Sequence, residues 1–295
     1  MKKLNRPSYG SVELFDKSVD GIHDLTLRQL FIDNRPNMVV ANTAYDCEAH
    51  TQTWCNLPRT AHGNPDAVVV GTLSKRQLTG LYSDHVVRSK EGARGIYDDI
   101  LVKAHGKCPY CGGIGEAKTL DHYLPKSRFP SYSVLPVNLV PACRDCNTGM
   151  GSSFPTDPSL QPVHPYLDAA HFFDEKWTTA IVLQEDPIVV NFGVSPPAHW
   201  SARDQSRVVQ HFQDCDLGER YRLQVWDELA PLISQRKDTL KELDTNNFRA
   251  HLLVTANESA LPINGWKRTL YDALAATGWF CMADFTAPNG HMPAP

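Results

Sequence analysis

The sequence has no apolar run near the ~20 residues that a membrane-spanning helix requires, so a helical membrane protein is excluded. It has no excess of positive charge either. Its 29 Lys and Arg stand against 33 Asp and Glu, a net charge of −4. The chain as a whole is therefore not a basic nucleic-acid coat, and any phosphate grip must come from a local patch. No apolar stretch follows the basic tip Met1-Lys2-Lys3. A secretory signal is not expected, and the expected compartment is the cytoplasm. There is no internal repeat and no low-complexity tract. With 42% hydrophobic and 21% charged residues over 295 positions, a disordered chain, a collagen and a coiled-coil rod are excluded. Two domains, or one with large embellishments, are expected.

Cysteine is well represented, at eight residues. Four of them form two C-x-x-C steps, Cys108/Cys111 and Cys143/Cys146. A chain of this length can build its own core without disulfide stapling. Paired C-x-x-C steps beside turn-forming residues favour one tetrahedral zinc, each step wrapping two thiolates around one side of the ion. A disulfide framework and a thiol-redox pair remain the alternatives. Cys215 and Cys281 lie in apolar settings and read as core thiols. Cys47 and Cys55 have polar neighbours and no assigned role.

The chain reads as three regions: 1–93, partly helical; 94–155; and 156–295, mainly helical. Leu25 to Ile32 suggests a helix, and Ala67-Val68-Val69-Val70-Gly71 a short strand or a helix start. Ile96, Tyr97, Ile100, Leu101 and Ala104 have helical period, with Gly106 as a stop. Residues 106–155 are rich in Gly, Pro, Cys and Asn, which suits a small metal-held module. Further on, Trp177 to Leu183 and Ile188 to Phe192 suggest a hairpin around Glu185-Asp186-Pro187. Ser201 reads as a helix N-cap, Pro231 as a kink or break in a later helix, and Trp266, Leu270, Ala273 and Leu274 as another amphipathic stripe. Residues 286–295 read as a loose tail.

Between the two cysteine pairs lie Leu120-Asp121-His122-Tyr123-Leu124-Pro125-Lys126-Ser127 and Asn138-Leu139-Val140-Pro141, and Asn147 directly follows Cys146. Apolar neighbours flank both polar clusters, as on two strands of one hairpin, with a helix beginning after Cys143. This order of Asp-His, Asn and a final Asn resembles the HNH endonuclease family in its zinc-bearing ββα-metal form, over residues 94–155. The resemblance implies an α+β protein in which that module, with structural zinc, is embedded in a mainly helical chain carrying a small hairpin. The segment His164-Pro165-Tyr166-Leu167-Asp168 and Trp177 resemble, more loosely, bacterial members encoded beside ATPases in anti-phage systems of the Septu type.

The resemblance further implies metal-dependent hydrolysis of DNA phosphodiester bonds, with DNA and an ATPase subunit as partners, no membrane, and a role as an anti-phage effector. His122 would be the general base. Asp121 and Asn147 would give oxygen ligands to Mg²⁺ or Mn²⁺. Asn138 would hold the hairpin or the orientation of His122. Cys108, Cys111, Cys143 and Cys146 would hold structural Zn²⁺ with no open position. From Leu101 to Pro155 six Lys/Arg face three acids. Lys126, Arg128 and Arg144 of that set are the candidate nucleic-acid contacts. The sequence departs from the pattern at Met150, where many relatives have Lys three residues after the final Asn. That departure keeps open a second reading, a zinc-stapled module that binds nucleic acid or protein without cutting.

Overall fold

The computed structural model describes residues 1–90, 92–287 and 290–292. It divides into two compact units: Lys3–Tyr110 with Gly115–Asp168, and Met1–Lys2 with Cys111–Ile114 and Ala169–Pro295. The class is α+β, with two-stranded antiparallel sheets among helices. Among the described residues no helix is long and apolar enough to cross a membrane.

The first unit begins with α1 (Glu13–Asp20) and α2 (Leu25–Thr51). Asp24 starts α2 by accepting the Thr26 and Leu27 N–H groups, which otherwise lack partners at a helix start. The sequence suggested a helix only to Ile32, yet α2 runs on through Pro36 to Thr51. Phe31, Met38 and Tyr45 are buried seven residues apart on its core side. Pro36 is exposed, so the Ile32 carbonyl it deprives of a donor lies on the solvent side. There follow β1 (Val68–Val70), β2 (Leu73–Ser74), α3 (Lys75–Tyr82), a π-helical turn Ser83–Val87 and α4 (Ala93–Val102). A capping box between Ser74 and Gln77 opens α3.

Then come β3 (Thr119–His122), β4 (Leu139–Ala142) and, one residue later, α5 (Arg144–Met150). The two strands pair antiparallel with His122 opposite Leu139. So short a hairpin is marginal alone. Here Leu120 and Leu139 enter the same core as Leu14, Phe31, Leu81, Ile96 and Ile100.

The second unit holds α6 (His171–Asp174), a hairpin of β5 (Thr178–Leu183) and β6 (Val189–Val194), then α7 (Ala202–Asp214), α8 (Leu217–Lys237), α9 (Thr245–Ala256), α10 (Trp266–Ala276) and α11 (Gly278–Met282). The hairpin and the Ser201 cap match the sequence reading: Ser201 Oγ accepts the Asp204 N–H. Pro231 does not break its helix. It is exposed, while Tyr221, Val225, Leu229 and Leu232 anchor α8 on both sides of it. Val182, Val190, Val225, Leu229, Phe248, Leu270 and Phe280 share one core. Cys215 and Cys281 are buried, as expected of core thiols. Of the tail 286–295, residues 288, 289 and 293–295 lie outside the described residues.

Candidate functional site

Four cysteines converge. Cys108, Cys111, Cys143 and Cys146 are all buried, and their sulfurs lie within 4.8 Å of one another. A tetrahedral ion with Zn–S bonds of about 2.3 Å sets its ligands about 3.8 Å apart. The cluster therefore has the donors and dimensions to hold a metal such as zinc. The first pair sits on a tight turn closed by the Cys108 N–H donating to the Gly115 carbonyl at 3.0 Å. Gly112 and Gly113 follow Cys111 at φ 69° and 98°, a region glycine enters without steric cost. Cys143 caps α5 and Cys146 lies in its first turn, a three-residue spacing that puts both thiols on one side of the helix. Among the described residues no cysteine is in a disulfide. Burial of all four thiols also speaks against an accessible redox pair.

The end of β3 presents Asp121 and His122. Side chains alternate along a strand, and the burial follows suit: Leu120 and His122 are buried, Thr119 exposed and Asp121 half-buried. The Asp121 carboxylate accepts the His122 N–H at 2.8 Å. The His122 ring is 9% exposed. Its Nε2 lies 2.9 Å from the Ser133 carbonyl. That oxygen can only accept, so Nε2 carries the proton and Nδ1 keeps a lone pair. Burial, with the Lys126 charge nearby, pushes the His122 pKa down to about 3. The ring is thus a neutral base throughout the physiological range. Tyr82, the last residue of α3, packs edge-on against it at 4.4 Å between ring centres.

Of the two tasks expected of Asn138, the structure shows the first, holding the hairpin. It does not orient His122; the Ser133 carbonyl and Tyr82 do that. Asn138 is fully buried just before β4. Its Oδ1 accepts the Leu124 N–H at 2.8 Å. Its Nδ2 donates to the carbonyls of Tyr132 at 3.0 Å and Leu124 at 3.2 Å. It thereby ties both ends of the β3–β4 loop, which carries Ser133. The Tyr45 hydroxyl adds a longer bond to Oδ1, 3.3 Å, and lies 3.1 Å from His164 Nε2. His164 Nδ1 accepts the Tyr166 N–H at 3.2 Å, so its Nε2 is the protonated nitrogen. The His164–Asp168 motif is therefore a buried brace. Tyr123 and Trp54 pack on the His164 ring at 4.2 and 5.2 Å. Trp177 is also buried, with Nε1 donating to the Phe172 carbonyl at 2.8 Å.

Asn147 lies half-buried on α5. It borders an open groove of about 540 Å³ together with Lys118, Thr119, Arg144 and Thr148. Arg144 is exposed at that rim. Lys126 lies near His122. Its Nζ is 4.7 Å from the Tyr82 ring centre and 3.3 Å from Ser83 Oγ, and burial lowers its pKa. The Arg128 carbonyl accepts the Thr60 N–H at 2.7 Å, and its side chain is half-buried. Sequence reasoning missed Tyr82, Ser133 and Tyr45. Ser133 acts through its backbone, and the two tyrosines come from distant helices, so no local motif marks them.

The chain is 35% identical over 288 residues to protein Ea31 of Escherichia phage lambda, covering 93% of this chain and 97% of the relative. No protein-family model matches it, and no solved structure does.

Proposed function

The chain belongs to the family of phage lambda protein Ea31, and we propose that it is a metal-dependent HNH-type endonuclease that hydrolyses DNA phosphodiester bonds. One observation carries the reading. His122 is held with Nε2–H on a carbonyl and Nδ1 unprotonated, at the end of an antiparallel hairpin followed at once by a helix rooted in four converging thiols. Structural Zn²⁺ on Cys108, Cys111, Cys143 and Cys146 would fix that helix to the hairpin base. His122 Nδ1 takes the proton from the attacking water. Asp121 and Asn147 are the oxygen donors for Mg²⁺ or Mn²⁺, whose chemistry is to polarise the phosphate and offset charge on the leaving oxygen. Lys126, Arg128 and Arg144 are the proposed phosphate contacts. The setting we propose is an anti-phage effector in the cytoplasm, acting with an ATPase subunit.

Met150 favours a second reading, a zinc-stapled module that binds without cutting, because a cation is absent where the resembled family carries Lys. Plasmid nicking with Mg²⁺ or Mn²⁺ separates the two. Wild type should nick, and His122→Ala should abolish nicking at unchanged zinc content. Nicking that survives the substitution overturns the mechanism; DNA binding without nicking by wild type favours the second reading.

A further inference from the structure

Tyr82 is the least explained group around His122. Its residue is 5% exposed. Its ring touches both the imidazole, at 4.4 Å, and the Lys126 ammonium, at 4.7 Å. The ring is packed, but the hydroxyl oxygen is not among the buried unpartnered atoms and so keeps contact with solvent. Among the described residues none takes the Tyr82 hydroxyl proton. Tyr166 shows the contrast by donating its proton to the Leu139 carbonyl at 3.0 Å, while Tyr97 accepts the Leu120 N–H at 3.2 Å. The Tyr82 hydroxyl instead feels the Asp121 carboxylate, the Tyr97 phenol and the Arg94 guanidinium without bonding to them. The phenol therefore sits against the imidazole and the Lys126 ammonium with its own proton unshared, and within electrostatic reach of Asp121 and Arg94.

We propose that the Tyr82 hydroxyl donates a hydrogen bond to a non-bridging oxygen of the scissile phosphate, making Tyr82 a substrate-contacting catalytic residue. The proposal rests on the endonuclease reading of the His122 site and adds to it a donor that comes from α3, outside the ββα segment. A neutral phenol is a suitable donor there. Burial raises its pKa, so it keeps its proton and adds no charge beside the phosphate. It offers a directed donor next to the base from α3, in a chain that carries Met150 on α5 where the resembled pattern has Lys.

The test uses the full chain and Tyr82→Phe, which keeps the ring against His122 and Lys126 and removes only the hydroxyl. Two readouts are needed: plasmid nicking with Mg²⁺, and anisotropy of a short labelled duplex with Ca²⁺ in place of Mg²⁺. A lost bond to a charged phosphate predicts ~10–100-fold slower nicking and weaker duplex binding by at least several-fold, at unchanged zinc content. Tyr82→Phe that nicks and binds like wild type overturns the proposal and leaves the His122 reading standing. Wild type that binds but never nicks overturns the endonuclease reading, while weaker binding by Tyr82→Phe still supports the phosphate contact. Wild type that neither binds nor nicks overturns both.

Discussion

Replacing Asn138 with Ala should cost about 4 kcal/mol of stability. The side chain is fully buried and makes three short bonds, to the Leu124 N–H, the Leu124 carbonyl and the Tyr132 carbonyl. Leu124 and Tyr132 are themselves 0% and 2% exposed, so water cannot replace the lost partner. A stranded buried donor or acceptor costs ~1–3 kcal/mol. Three such groups at ~1.3 kcal/mol each give the figure, which is a large part of a typical total of ~5–15 kcal/mol. Asn138→Asp should fare no better. It keeps an acceptor for the Leu124 N–H but sets a carboxylate oxygen against two carbonyl oxygens. Asn147→Ala is the control. Its side chain is half-buried on α5, where Ala is the better helix former, so stability should move by ~0.5 kcal/mol or less. Urea unfolding gives the totals, and hydrogen exchange at the Leu124 amide gives the local loss. A change below ~1 kcal/mol for Asn138→Ala, with Leu124 still protected, would refute the claim that this side chain closes the loop.

Removing metal with a chelator, or substituting Cys146→Ser, should release about one zinc per chain and loosen the β3–β4–α5 segment, read by metal analysis and by faster exchange at the β3 and β4 amides. Acid should weaken the fold through His122. The unfolded imidazole binds a proton below pH ~6.5, whereas the folded one resists until about pH 3. Stability is therefore full above pH 6.5 and falls by up to ~1.4 kcal/mol per pH unit below it, about 2 kcal/mol at pH 5. His122→Gln should flatten that slope in denaturant titrations across pH, and an unchanged slope would contradict the burial argument. Ser201→Ala removes the acceptor of the Asp204 N–H, 3.1 Å away. It should cost ~1 kcal/mol in the unfolding of the unit that contains α7.

Local chemistry made much of the molecule legible. Cysteine spacing indicated a four-thiol cluster, alternation around Leu120 and Leu139 indicated a short hairpin, and the Ser201 cap and the later hairpin followed from turn and capping rules. Proline ended neither long helix, Pro36 in α2 nor Pro231 in α8. The rule that it ends a helix assumes no compensation. In α2 and α8 buried anchors on either side of the proline outweigh one missing bond on a solvent face. The sequence by itself therefore determined the four-thiol cluster and the order of the short elements around it, because spacing and turn chemistry act over a few residues. Only the tertiary structure decided which groups surround the imidazole. The Ser133 carbonyl, Tyr82 from α3 and Tyr45 from α2 reach the His122 loop across up to 93 residues of chain. Such contacts arise from packing a common core, and sequence proximity leaves no mark of them.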